Sequence, residues 1–162
     1  MTSNNSSRQV ELRPVRTEDE SFLREVYASS RAEELALTDW SEARREAFIS
    51  MQFAAQQQHY GGRYPEAEHQ VILLNDRPIG RIYVDRRPAE IRILDMTILH
   101  EYRNLGIGAP LIEELLSEAA RTAKTVSVYV ENYNRSRRLF ARLGFSPTEE
   151  NGFQVLMVWR PS

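Results

Sequence analysis

The 162-residue chain contains no cysteine. Disulfides, thiolate nucleophiles and cysteine-ligated metals are thereby excluded. It has no excess of charge of either sign: 21 Lys and Arg stand against 23 Asp and Glu, a net charge of −2. That balance supplies no broad attraction to nucleic acid, and none is expected as a partner. No stretch approaches the ~20 consecutive apolar residues that span a bilayer, so no membrane partner is expected either. Residues 1–8 are rich in Ser and Asn and have no apolar run. They are expected to be neither a signal peptide nor an anchor but a short disordered tail, and the chain is placed in the cytoplasm. The three histidines, His59, His69 and His100, are dispersed without an i, i+4 pair, so no metal site is expected. No Gly-x-Ser-x-Gly occurs, so the nucleophile elbow of a hydrolase is unsupported. Internal repeats and low-complexity linkers are missing as well.

What is present suits one domain over residues 9–162. Hydrophobic residues make up 41% and charged residues 27%, which is enough apolar content for a real core at this length. Residues 9–15 alternate weakly and read as an edge-like strand. Thr17-Glu18-Asp19-Glu20 has the spacing of a capping box, with helix following to about Leu35. Asp39 and Glu42 mark a second helix start, and that helix is expected to end before Gly61-Gly62. Three strands follow, over residues 69–74, 79–84 and 90–99, with turns at Asn75-Asp76 and Arg86-Arg87-Pro88. The period then changes from about 2 to about 3.6. Ile107, Leu111, Ile112, Leu115, Leu116, Ala119 and Ala123 share one helix face. A strand at 126–130, a helix at 134–143 closed by Gly144 and Phe145, and a last strand at 153–159 complete the chain. The strand at 90–99, the helix after it and the strand at 126–130 make a βαβ unit, so that strand pair is expected to be parallel. The fold class is α/β: a mixed, mostly antiparallel sheet with one parallel pair and helices on both faces.

Ligands bind beyond the carboxyl ends of parallel strands, which points to residues 99–110. There Gly106 and Gly108 let the backbone turn tightly and expose N–H groups. The start of the following helix adds unsatisfied donors and a partial positive charge. Pro110 fits a helix's first turn, where its missing N–H costs nothing. The segment reads as a pocket for an anion the size of a diphosphate. It is not a P-loop, because no Lys-Ser/Thr follows the glycines, and Leu111 stands where a dinucleotide fingerprint has its third glycine.

Arg103-x-x-Gly106-x-Gly108 resembles the Arg/Gln-x-x-Gly-x-Gly/Ala signature of the GNAT acetyltransferases. A second block, from Val130-Glu131-Asn132-Tyr133-Asn134 through Leu139-Phe140 to Leu143-Gly144-Phe145, is similar to that family's second motif. The element order agrees along nearly the whole chain from residue 9. The resemblance implies an acyl transfer from acetyl-coenzyme A to a primary amine of a small molecule or peptide. The amine attacks directly within a ternary complex, without a covalent enzyme intermediate. It implies a GNAT-like fold and no metal, and it leaves a second copy of the chain open as a partner. It also implies that Arg103, Asn104, Leu105, Gly106, Ile107, Gly108 and Ala109 hold the cofactor pyrophosphate. Ile98 and Leu99 then pair with the pantetheine arm, Asn134 contacts the same arm, and Arg137 meets a cofactor phosphate.

The chemistry sets further requirements. A free alkyl amine has a pKa of roughly 10, so a base must remove a proton near neutral pH. Asp95 and Glu90, both on the long central strand, are the candidate bases. The Leu99 backbone N–H is the expected oxyanion donor. Many relatives carry Tyr, assigned as the acid for the departing thiolate, where this chain has Phe140. Water, or a hydroxyl such as that of Tyr133 or Ser136, is the expected substitute, unless no acid is needed. The alternative reading is a coenzyme A-binding regulatory module with weak or no catalysis. Acceptor specificity is expected over residues 40–65, with Tyr60, Arg63 and Tyr64 as a lid beside Gly61-Gly62. Glu149 and Glu150, in the last hairpin, read as a charged turn or as a preference for a cationic amine. Arg135, Arg137, Arg138 and Arg142 make a basic helix surface.

Overall fold

The computed structural model describes residues 9–132 and 134–162, so the expected tail and Tyr133 lie outside the described residues. The elements are β1 (Val10–Pro14), α1 (Glu20–Ala36), α2 (Glu42–Arg63), β2 (Glu68–Leu74), β3 (Arg77–Arg86), β4 (Glu90–Ile98), α3 (Gly108–Thr122), β5 (Thr125–Glu131), α4 (Ser136–Arg142), β6 (Ser146–Glu150) and β7 (Gln154–Trp159). The strands form a seven-stranded sheet in the order β1-β2-β3-β4-β5-β7-β6. β4 and β5 run parallel, from Glu90 opposite Thr125 to Ile93 opposite Val128. The pairs β1–β2, β5–β7 and β6–β7 are antiparallel. This is the mixed α/β arrangement with one parallel pair that the change of period predicts.

The chain divides into two compact units, and β3 and β4 contribute to each. The first holds residues 9–82 with Met96–Arg103. Its helices meet through Leu23, Tyr27, Ile49 and Phe53, all buried, with Val15, Phe22, Ala28 and Leu35 packed around them. Each such side chain contributes about 2–3 kcal/mol by leaving water. The second unit holds Tyr83–Asp95 and Asn104–Ser162. There α3 turns Leu111, Ile112, Leu115 and Ala119 inward, and Val126, Val128, Val130, Val155 and Met157 are buried on β5 and β7.

Two local expectations are corrected. The helix with Phe53 does not stop before Gly61-Gly62. It runs through both to Arg63, and its start is capped by Ser41 Oγ, which accepts from Arg44 N–H. Thr17 is not the cap of α1: residues Thr17–Asp19 form a 3-10 turn, and Asp19 takes the N-cap position. The Asp19 carboxylate is claimed instead by the Arg13 guanidinium, in a two-pronged pair at 2.8 and 2.9 Å, and by the Arg16 N–H at 2.7 Å.

The Arg13 hydrogen bonds, outweighing burial, hold the Asp19 carboxyl down at about 2. A carboxyl lowered on folding stabilises the native state above its unfolded value near 3.8 and loses that contribution as pH falls toward 2. The predicted consequence is an acid-sensitive stability between about pH 4 and pH 2. Asp19→Asn is expected to lower stability by about 2 kcal/mol at pH 7, or roughly 4–8 °C of melting temperature. It is also expected to flatten the melting curve's pH dependence over that window. Thermal melts of both proteins from pH 7 to pH 2 check this.

Candidate active site

The segment beyond β4 is built by short-range contacts. Leu99 is buried and its N–H donates to the Ile79 carbonyl at 2.8 Å. His100–Tyr102 form one 3-10 turn, tied by Tyr102 N–H to Leu99 O and Arg103 N–H to His100 O at 2.9 and 3.1 Å. Within the first unit, the His100 N–H donates to Ser29 Oγ of α1 at 3.3 Å. The Arg103 side chain folds back, its Nε donating to the Ile98 carbonyl at 2.9 Å. Arg103 therefore braces the end of β4 as well as standing at the head of the loop.

The backbone then enters the left-handed region twice, at Asn104 (φ 62°) and at Gly106 (φ 75°). Asn tolerates that conformation and Gly adopts it freely. α3 starts at Gly108 with Ile107 as N-cap, and no side chain caps it. An Ser, Thr, Asp or Asn there would have supplied about 1 kcal/mol. A buried isoleucine instead leaves the first N–H groups, those of Gly108 and Ala109 among them, for another acceptor. Pro110 sits third in the helix and has no N–H to satisfy. The result is a concentration of main-chain donors at the positive end of a 15-residue helix.

The second block is also local. Asn134 Oδ1 accepts from Ser136 N–H at 2.9 Å, so this carboxamide shapes the entry to α4. Arg137 is half-buried, whereas Arg135, Arg138 and Arg142 are exposed. Phe140 is buried and meets Phe145 edge-on, with ring centres 5.1 Å apart. Asn132, at the end of β5, was not singled out in the sequence. Its Oδ1 is buried without a hydrogen bond among the described residues.

The two carboxylates on β4 lie in different surroundings. Glu90 opens the strand inside an ionic cluster. It accepts from Ser127 Oγ, from Arg92 at 3.1 Å and from Arg87 at 3.2 Å, while Arg92 Nε also donates to Ser127 Oγ at 2.7 Å. Burial pushes its carboxyl up, but the Ser127 hydroxyl and the two guanidinium groups outweigh that and hold it below the ordinary value. Asp95 is half-buried, five residues along. Five is odd, so the two side chains point to opposite faces of the strand, roughly 17 Å apart along it. The β4–β5 register ends at Ile93 and Val128, and β4 continues to Ile98.

Other expected site features fall elsewhere. Tyr60, Arg63 and Tyr64 are not on a loop but on the last turn and cap of α2; the two Tyr rings lie 6.1 Å apart, with the Arg63 guanidinium 5.9 Å above Tyr64. Glu149 and Glu150 are exposed on β6. Among the described residues, no three His, Asp or Glu side chains are grouped to hold a metal ion, and no helix is long and apolar enough to cross a membrane.

A family model described as an acetyltransferase (GNAT) domain matches residues 28–158. Among solved structures, the chain is similar to the PaiA N-acetyltransferase of Thermoplasma acidophilum in complex with coenzyme A, with 19% identity, 94% of this chain and 99% of that chain covered, and a TM-score of 0.72. It is similar to a GCN5-related N-acetyltransferase of Rhodopseudomonas palustris at 22% identity, covering 93% and 94%, TM-score 0.66. It is also similar to a GNAT family acetyltransferase of Elizabethkingia anophelis with acetyl-CoA bound, at 15% identity, covering 93% and 97%, TM-score 0.56. At these identities the likeness is one of fold. No curated protein matches.

Proposed function

The chain belongs to the GNAT acetyltransferase domain family, and from that premise we propose that residues 9–162 act as one enzyme that moves an acetyl group from acetyl-coenzyme A to a primary amine. The acceptor is a small molecule or a peptide, and attack is direct within a ternary complex. The observation that carries this reading is the uncapped start of α3 behind two left-handed residues. Main-chain N–H groups of residues 104–109 hold the pyrophosphate, and Arg103 steadies the strand end from which they spring. Asn134 and Asn132 supply carboxamides toward the pantetheine arm, and Arg137 meets a cofactor phosphate.

The oxyanion donor is reassigned. Leu99 N–H is already spent on Ile79. Successive strand N–H groups point to opposite edges, so the Ile98 N–H faces the edge away from β3 and takes the role. Of the two candidate bases, Asp95 is preferred because it lies five residues nearer the end of β4 and the Ile98 N–H. Glu90 is held ionised by three partners, and a carboxylate so engaged accepts a proton poorly. Asp95→Asn is expected to lower kcat about a hundredfold and to remove the limb of the pH–rate profile that rises with pH. Glu90→Gln is expected to affect the melting temperature more than kcat. Loss of neither rate nor limb in either variant would assign proton removal to water.

Phe140 packs on Phe145, so its ring has a structural task independent of catalysis. Phe140→Tyr places a hydroxyl in the core and is expected to lower stability by about 1–2 kcal/mol. Turnover is expected to stay within about twofold, because water serves the thiolate, with Ser136 the described alternative. A tenfold rise would instead mean that the chain lacks an acid it needs. The overall test is incubation with acetyl-coenzyme A and an amine panel, reading free thiol, beside calorimetry with coenzyme A. Tight binding without turnover on any amine would favour a regulatory module.

A further inference from the structure

A groove of about 530 Å³ opens between α1 and α2 in the first unit. Its size is that of small-ligand sites. It is lined by Glu20 and Arg24 of α1 and by Ser50, Phe53, Gln57 and Gln58 of α2. Glu20 and Arg24 stand four residues apart with the carboxylate nearer the N-terminus, the order in which a helical pair usually closes on itself. They do not pair here. Among the described residues, none of the five polar side chains has a hydrogen bond or ion pair.

We propose that this groove binds a small zwitterion of the α-amino-acid type, at a site separate from acetyl transfer. The Glu20 carboxylate takes the ammonium and the Arg24 guanidinium takes the carboxylate through two parallel hydrogen bonds. Ser50, Gln57 and Gln58 offer donors and acceptors to either group, and Phe53 receives the apolar stem. One charge of each sign selects against the alternatives. A phosphate dianion is repelled by Glu20, and a diamine is repelled by Arg24. Separation from the transfer site follows from helix geometry. Ser29, which receives the His100 N–H, lies nine residues beyond Glu20 and five beyond Arg24 on α1, about 180° and about 140° round the helix at 3.6 residues per turn. It therefore faces away from the groove, and a molecule seated on Glu20 and Arg24 is on the other side of α1 from the end of β4.

The test is calorimetry of the intact protein with free L-amino acids bearing small, aliphatic, aromatic and amide side chains. Each one that binds is compared with its C-terminal amide and its deaminated acid. The expected result is one-to-one binding, weakened about tenfold by either change, and weakened about tenfold by Glu20→Gln and by Arg24→Gln. Coenzyme A affinity is expected to be the same in both variants, and saturating acetyl-coenzyme A is expected to leave amino-acid binding unchanged. No binding by any amino acid overturns the proposal, as does equal binding of the amides or acids, equal binding by both variants, or displacement by acetyl-coenzyme A. This outcome is independent of whether the chain acetylates amines.

Discussion

Gly106→Val is expected to weaken coenzyme A binding by about a hundredfold while leaving the melting temperature nearly unchanged. Gly106 sits at φ 75°, where a β-branched side chain meets its own backbone and costs about 1–3 kcal/mol. The loop is exposed at residues 104–106, so it is free to relieve that strain by rotating to negative φ. The fold survives the rotation, but the peptide planes on either side swing, and their N–H groups no longer converge with those at the start of α3. A pyrophosphate that loses two such charge-assisted hydrogen bonds loses about 3 kcal/mol, which is a factor of about a hundred. Gly152 provides the control. It also has positive φ (93°), and a Cβ there meets nothing within 4 Å. Gly152→Val imposes the same kind of backbone strain away from the loop and is expected to leave coenzyme A affinity intact. Calorimetry on the three proteins separates general strain from loss of the binding loop. Unchanged affinity in Gly106→Val would remove the basis for main-chain pyrophosphate binding.

The loop is legible in the sequence because its features are local. Gly106, Gly108 and Pro110 state a turn and a helix start within a few residues, and the apolar period of α3 is long enough to be unmistakable. The close of α4 was legible for the same reason: Gly144 has φ 100°, the Phe145 N–H reaches back to the Phe140 carbonyl at 3.0 Å, and the two rings touch. What was not legible depends on partners distant in sequence. The edge that the Leu99 N–H faces is not legible in the sequence, because strand register decides it and only the pairing with Ile79 sets it. Thr17 lost its expected capping role because Asp19 is recruited by Arg13 from β1. β6 escaped notice because all five of its residues are exposed. An edge strand with both faces in water carries no alternation, and Pro147 argues against a strand at all. α2 continues through two glycines that cost about 1 kcal/mol each, since burial of Ile49 and Phe53 and the ring contacts of His59, Tyr60 and Tyr64 favour the helix.

Gly80→Ala is expected to be the most destabilising single-methyl change in the first unit, and to impair catalysis at a distance from every reacting atom. A Cβ at Gly80 would run into the Thr97 carbonyl oxygen and lie 3.0 Å from the Ile98 Cα. Both are backbone atoms, so no side-chain rotation relieves the clash. β3 and β4 must part at this point, and Gly80 is fully enclosed. Overpacking of this severity costs about 3 kcal/mol, which for a chain of this size lowers the melting temperature by roughly 6–12 °C. The adjoining hydrogen bond, Leu99 N–H to Ile79 O at 2.8 Å, lies one residue away on each strand. Parting the strands loosens it and lets residues 98 and 99 turn, which moves the proposed Ile98 oxyanion donor out of line. A misplacement of about 1 Å at such a donor costs on the order of a hundredfold in kcat. Coenzyme A affinity is expected to fall much less, since the donors of residues 104–109 follow later in the chain. An unchanged kcat beside a lowered melting temperature would mean that the strands part without moving the Ile98 N–H, and that the close strand contact at Gly80 does not position the donor.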